Sequence, residues 1–400
     1  MSEENEMVVR PAWKAWAALA LAFALGLCVA FLVMRSQNAN KPQVTATAPA
    51  VPAVEAEPAA TDPVAVEPLD IAATFPSWDP ASPALAELTA FVADVCDPAS
   101  PNYREPADRI ATFDMDGTII SEKAPYYIDY MMLLYRVLDD PTYEADPNDV
   151  AICEEIKTYA NRGTKNSDLS PERHRMTAST FEGMKPEDLR VWINSFLDTV
   201  PVVGFDGMTY GGSFYKPMIE VINYLKANDF DVYMVSAGER EFVRGIVERL
   251  GIEPSHVVAC DVTYITTGQG DKAAKDYTMT QDETVVLSTP LTKGVEKNGK
   301  VLAIAREIGK VPVLAFGNTA GDYAMLNYAE ANGGMGCFVV CDDVEREYGD
   351  MAYAQEGYDL VAKEQWTAFS MAEDWATIYG ENVVKTELPG AEAEELADAA

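Results

Sequence analysis

The sequence predicts an open α/β fold with a parallel sheet, and three observations carry that expectation. Short apolar runs at Ile110 to Phe113, Asp231 to Val235 and Val311 to Phe316 read as strands, separated by amphipathic helical patterns. Met218, Val221, Ile222 and Leu225 recur at helical spacing just before the second run, with Pro217 suited to a first turn. Each run also delivers a polar residue at its carboxyl end, where ligands bind in such sheets.

The rest of the chain is organised around that domain, expected over 83–386. A short tail, 1–14, precedes 15–34, a stretch without a charge that includes Leu19, Leu21, Phe23, Leu25, Leu27, Phe31 and Leu32. As a helix it would span about 30 Å, the depth of a bilayer core. Trp13 and Trp16 stand at the headgroup level, and Val33-Met34-Arg35 offers no small-residue cleavage site, so an uncleaved transmembrane anchor is expected. Segment 35–82 is rich in Pro, Ala, Val, Thr and Glu without an apolar period, as in an extended linker. Segment 387–400 carries acids and no base and reads as a solvated tail.

Charge narrows the function. Among 400 residues, 64 acidic against 30 basic ones give a net charge of -34, which repels phosphate backbones and anionic headgroups. A role on nucleic acid or as a peripheral membrane protein is disfavoured. Cysteines show no zinc pattern: Cys28, Cys96, Cys153 and Cys260 are isolated, and only Cys337 and Cys341 are near neighbours. Buried free thiols are expected, a disulfide between those neighbours requiring that their Cβ vectors converge.

The chemistry concentrates in Asp114-Met115-Asp116-Gly117-Thr118, which leaves the first strand through a Gly-containing turn. One carboxylate at a strand end can attack phosphorus, and a second carboxylic acid two residues on can protonate the leaving oxygen and later deprotonate water. Gly117 permits the tight turn, and the Thr118 hydroxyl can hold it. Ser236, with the amides of Ala237 and Gly238 before a helix starting near Glu239, forms a phosphate-binding arrangement. A lysine before the helical run 301–308 would neutralise charge shared by nucleophile and phosphoryl group. Lys300 is best placed, with Lys293 and Lys297 as further candidates. Finally, Gly317-Asn318-Thr319-Ala320-Gly321-Asp322 supplies an amide oxygen and a carboxylate, hard ligands suited to magnesium.

In this order the elements resemble the haloacid dehalogenase (HAD) superfamily, specifically its phosphoserine-phosphatase-like branch, over roughly Ile110 to Ala329. The resemblance implies a Rossmann-like core, with Asp114 as nucleophile, Asp116 as acid and base, Ser236 in the second motif and Lys300 as third-motif lysine. It also implies a Mg²⁺ ion contacting Asp114, the main-chain carbonyl of Asp116, and Asn318 or Asp322. The sequence departs from the commonest family pattern at Asn318, where an aspartate is usual, so the site has one negative charge fewer. A mostly helical cap is implied within 123–215, including a helical pattern from Phe181 to Phe196. Cap residues usually choose the substrate, which makes Glu122, Arg173, His174 and Arg175 candidates for its polar part, although an Arg-His-Arg run is more often a solvated surface.

Two functions are therefore expected in competition. One is a Mg²⁺-dependent phosphomonoester hydrolase acting on a small phosphate ester, membrane-tethered and extracytoplasmic. The other is a non-catalytic, membrane-tethered binding protein that keeps the fold.

Overall fold

The computed structural model describes residues 69–389 apart from 124, 165, 292 and 293. The expected anchor at 15–34, Cys28, Lys293, most of the linker and the tail beyond 389 lie outside the described residues. Among the described residues no helix is long and apolar enough to cross a membrane.

The core is a six-stranded parallel sheet. Its strands are β1 (Ile110–Phe113), β2 (Asp231–Glu239), β3 (Val257–Cys260), β6 (Leu314–Gly317), β7 (Met335–Val340) and β8 (Thr367–Ser370). They lie in the order β3-β2-β1-β6-β7-β8. All four residues of β1 are buried, as a central strand covered on both faces requires. Successive side chains alternate between two apolar clusters: Leu314 and Phe316 enter one, Ala315 the other. The Phe113 and Phe316 rings stack across the β1–β6 pair with centroids 4.1 Å apart.

A two-stranded antiparallel ladder, β4 (Thr263–Thr266) and β5 (Val285–Ser288), lies between Cys260 and Lys300 in the chain. It stands apart from the main sheet and is tied to the cap, since Gly183 N–H donates to the Leu287 carbonyl and Leu287 N–H to the Met184 carbonyl.

Helices follow where sequence pattern and caps agree. α1 (Pro83–Cys96) starts at Ser82, whose hydroxyl accepts from Leu85 N–H at 3.0 Å, and buries Ala84, Leu85, Leu88, Val92 and Val95. The cap consists of α2 (Ile128–Leu138), α3 (Pro147–Ala160), α4 (Ser170–Ser179) and α5 (Pro186–Thr199). Of these, α5 lies against α7 (Arg240–Val247), where Gly245 makes room: a Cβ there would sit 2.5 Å from Ile193 Cδ1. Between them in sequence, α6 (Lys216–Ala227) buries Met218, Val221, Ile222 and Leu225. α8 (Asn298–Glu307), α9 (Tyr323–Glu330) and α10 (Met351–Glu364) complete the core helices.

Several boundaries differ from the sequence expectation. The folded unit begins before Pro83, because Phe75 and Trp78 are buried and the Trp78 indole donates to the Pro217 carbonyl at 3.0 Å. Phe181 to Lys185 is not helical: Gly183 has φ of 80°, Pro186 opens α5, and Phe181 packs edge-on against Phe242 at 5.1 Å. The third expected strand starts at Leu314 rather than Val311, and α8 already includes Lys300. The described cysteines, Cys337 and Cys341 among them, are free thiols.

Candidate active site

Register builds the site. Phe113 aligns with Met234 on one side and Phe316 on the other, so Asp114, the Val235-Ser236 step and Gly317-Asn318 reach the same edge of the sheet. Asp114 N–H donates to the Phe316 carbonyl at 2.9 Å, which anchors the turn to its neighbour.

Lys300 sits at the centre of this edge and is only 2% exposed. Its ammonium donates to Asp114 Oδ1, to the Val235 carbonyl at 2.7 Å and to Asp322 Oδ1 at 2.7 Å. Three donors meet three acceptors, so a buried charge is fully satisfied. Burial pulls the ammonium down, but Asp114 and Asp322 outweigh it and hold it protonated. Among the lysine candidates, Lys297 is exposed and precedes α8, while Lys300 points into the sheet edge.

The two motif aspartates are held above the ordinary carboxylate range. Burial first, then Asp322, pushes Asp114 up to about 7 against the opposing pull of Lys300. Asp116 is pushed well up by burial, with Asp129, Asp114 and Glu122 adding like charge. One Asp116 carboxyl oxygen, Oδ1, is buried without a hydrogen-bond partner. A carboxyl whose proton is held more tightly in this way suits proton donation to a leaving oxygen.

The motif turn and the loop at 317–322 interlock. Gly117 has φ of 75°, and a Cβ there would lie 1.9 Å from Asn318 Nδ2. Thr118 Oγ1 lies 3.3 Å from Asn318 Oδ1, and Asn318 Nδ2 donates to Glu122 Oε2 at 3.2 Å. Asp322 Oδ2 accepts from the Asn318 and Thr319 amides at 3.1 and 3.0 Å, so this carboxylate shapes the loop with one oxygen and holds Lys300 with the other. Of the expected metal residues, Asp322 is therefore committed to structure and Asn318 faces the motif turn.

Ser236 is buried at 1% exposure and accepts from Gly238 N–H at 3.0 Å. Ala237 and Gly238 belong to β2 rather than to a helix start; the strand runs on to Glu239, whose carboxylate caps α7 by accepting from Glu241 and Phe242 N–H at 2.9 and 2.8 Å. The sequence reading ended the strand early because the Ser-Ala-Gly step looks like a turn.

These residues line one cavity of about 280 Å³, shared by Asp114, Asp116, Glu122, Ser236, Lys300 and Asp322 with cap residues. Arg173 corrects the solvated-surface expectation: it is 9% exposed, ion-paired to Asp129 at 2.7 Å and set over the Tyr130 ring at 4.1 Å. His174 lies beside it, with Nε2 2.6 Å from Arg173 Nη2, and also lines the cavity. Arg175 turns outward to Glu172 and Asp149 and does not. Sequence reasoning missed Asp129, Tyr130 and Glu239, which line the same cavity. The spacing of Asp129 and Tyr130 to the motifs follows no rule, since a cap is positioned by packing rather than by register, whereas Glu239 lies three residues beyond Ser236 on β2.

The donor set fits a small hard cation. Carboxylates crowd around one ammonium, Asp116 Oδ1 is orphaned, and Asn318 adds an amide oxygen. Among the described residues no group of three His, Cys, Asp or Glu side chains forms a ready cage. A carboxylate, an amide and a main-chain carbonyl form a different set, one that leaves places for water and substrate oxygens.

The family model for haloacid dehalogenase-like hydrolases matches residues 111–327, more than half of the chain. The chain belongs to that family. A comparison with curated proteins finds no match. Similar solved structures include a protein of unknown function from Bordetella pertussis Tohama I, 14% identical, covering 65% of this chain and 97% of that one, with a TM-score of 0.41. A conserved, functionally unknown protein from Anaerococcus prevotii DSM 20548 is 14% identical, covering 76% of this chain and 96% of that one, with a TM-score of 0.44. A phosphoserine phosphohydrolase-like protein from Francisella tularensis subsp. tularensis SCHU S4 is 15% identical, covering 58% and 87%, with a TM-score of 0.34.

Proposed function

We propose that this haloacid dehalogenase-family hydrolase is a phosphatase of the phosphoserine-phosphatase-like branch, cleaving a small phosphomonoester. The observation that carries the reading is the Lys300 ammonium bridging Asp114 and Asp322 beneath β2, with Asp116 and Ser236 on the same cavity. An Asp114 oxygen attacks phosphorus, the ester P–O bond breaks, and Asp116 gives its proton to the leaving alkoxide. Asp116 then takes a proton from water, which attacks the aspartyl-phosphate and releases inorganic phosphate with Asp114 restored. The Ser236 hydroxyl and the Ala237 amide orient the phosphoryl oxygens, and Lys300 offsets their charge. A magnesium ion, held by Asp114, the Asp116 carbonyl and Asn318, would supply further neutralisation of the phosphoryl group.

The test is the purified full chain in detergent with Mg²⁺, an aryl phosphate and a panel of phosphate esters. Turnover is expected, with a loss of about a thousandfold or more in Asp114→Asn. No turnover across the panel refutes the reading and favours a binding protein, whereas full turnover by that variant refutes Asp114 as the nucleophile. We further propose that the apolar stretch 15–34 anchors the chain and that its catalytic unit lies outside the cytoplasm, so that its substrates are extracytoplasmic esters.

A further inference from the structure

The geometry assigns Glu122 to the cation site: it supplies, from the loop after the aspartate motif, the negative charge that Asn318 withholds. The inference rests on the phosphatase reading and concerns the charge of its metal site. An amide at position 318 offers a cation an oxygen but no charge. An amide is also ambiguous, because its oxygen and nitrogen are alike in shape and only the neighbours decide which way it faces.

Glu122 resolves both deficits. A carboxylate only accepts, so its contact with Asn318 at 3.2 Å must be to Nδ2, which turns Oδ1 to the opposite side of the amide. There Oδ1 meets the Thr118 hydroxyl at 3.3 Å, within the motif that also holds Asp114 and Asp116. The other Glu122 oxygen accepts from the Tyr127 hydroxyl at 2.8 Å, which fixes the carboxylate against the loop. With both oxygens engaged in this way, Glu122 serves the turn rather than a substrate group, although it lines the cavity.

Gly117 makes the approach possible. A Cβ at this position would lie 1.9 Å from Asn318 Nδ2 and 3.0 Å from Glu122 Oε2, so the pair occupies the space a side chain would need. The usual aspartate is thus replaced by an amide backed by a carboxylate one residue away in space. Charge at the site is conserved while its carrier moves, and Glu122 acts as a positioning residue.

Mn²⁺ titrated into the full chain without substrate, and followed by its paramagnetic resonance signal, tests this. Glu122→Gln keeps the shape and an acceptor oxygen but removes the charge, and is expected to weaken Mn²⁺ binding by about tenfold to a hundredfold. Adding Asn318→Asp to that variant returns the charge to the loop and is expected to restore affinity to within about threefold of wild type, whereas Asn318→Asp alone gains less. Tyr127→Phe frees Glu122 without altering the turn and is expected to weaken binding by a few-fold, a check independent of how Glu122→Gln folds. Equal affinity in wild type and Glu122→Gln, or a double variant no tighter than Glu122→Gln, overturns the assignment alone. A wild-type chain that takes up no Mn²⁺ overturns the cation reading of the site as well.

Discussion

Lys300 illustrates how much a single buried residue carries. Its ammonium serves Asp114, Asp322 and the Val235 carbonyl, so removing it leaves two carboxylates facing each other in a dry site. Lys300→Ala is expected to cost about 3–5 kcal/mol of stability in urea denaturation, the usual range for breaking a buried pair, and to abolish turnover. Lys300→Arg is not expected to rescue activity, because a planar guanidinium cannot present three donors from one point. Asp116 differs in kind, since its role is proton transfer rather than cohesion. Asp116→Asn is expected to fold normally and to lower kcat by about 10²- to 10⁴-fold in steady-state assays.

At the scale of elements, the site depends on how turns and helix ends are made. Gly117→Ala places a Cβ into Asn318 at a backbone φ of 75°, so loss of both cation binding and turnover is expected, with the melting temperature lowered. Glu239 caps α7 from the end of β2 and is buried, which raises its carboxyl from 4.5 to about 8 despite two amide donors. A folded-state value above the unfolded one means the folded chain holds the proton more tightly. The contribution of Glu239 is therefore full below its unfolded value and disappears as pH rises through about 8. Melting temperature is expected to fall between about pH 4.5 and pH 8, and the slope to flatten in Glu239→Gln; an unchanged slope would assign the dependence to other groups.

For the whole molecule, the question is where the catalytic unit sits. The proposal that 15–34 crosses a membrane predicts that protease added to intact cells digests the domain, and protection of the domain would reverse the topology. The cap is the other large-scale feature. It closes over the cavity through Arg173, Asp129 and Tyr130, joined by an ion pair of 2.7 Å and a cation–ring contact of 4.1 Å. Arg173→Ala is expected to raise KM more than it lowers kcat, because the residue lines the cavity from α4 of the cap and not from the sheet edge.

The residues that meet at the sheet edge can be read from the order of motifs along the chain. Asp114, Ser236 and the Asn318 loop were legible because each follows an apolar run, and in a parallel sheet the carboxyl ends of neighbouring strands must meet. The α6 face was legible for the same reason, as its spacing reflects a period set by backbone geometry. Packing in three dimensions chose among the lysines, took Arg173 out of solvent, committed Asp322 to Lys300 and its own loop, and brought Glu122 against Asn318. Those contacts join residues far apart in the chain through side chains, and no local period records which side chain will cross the gap.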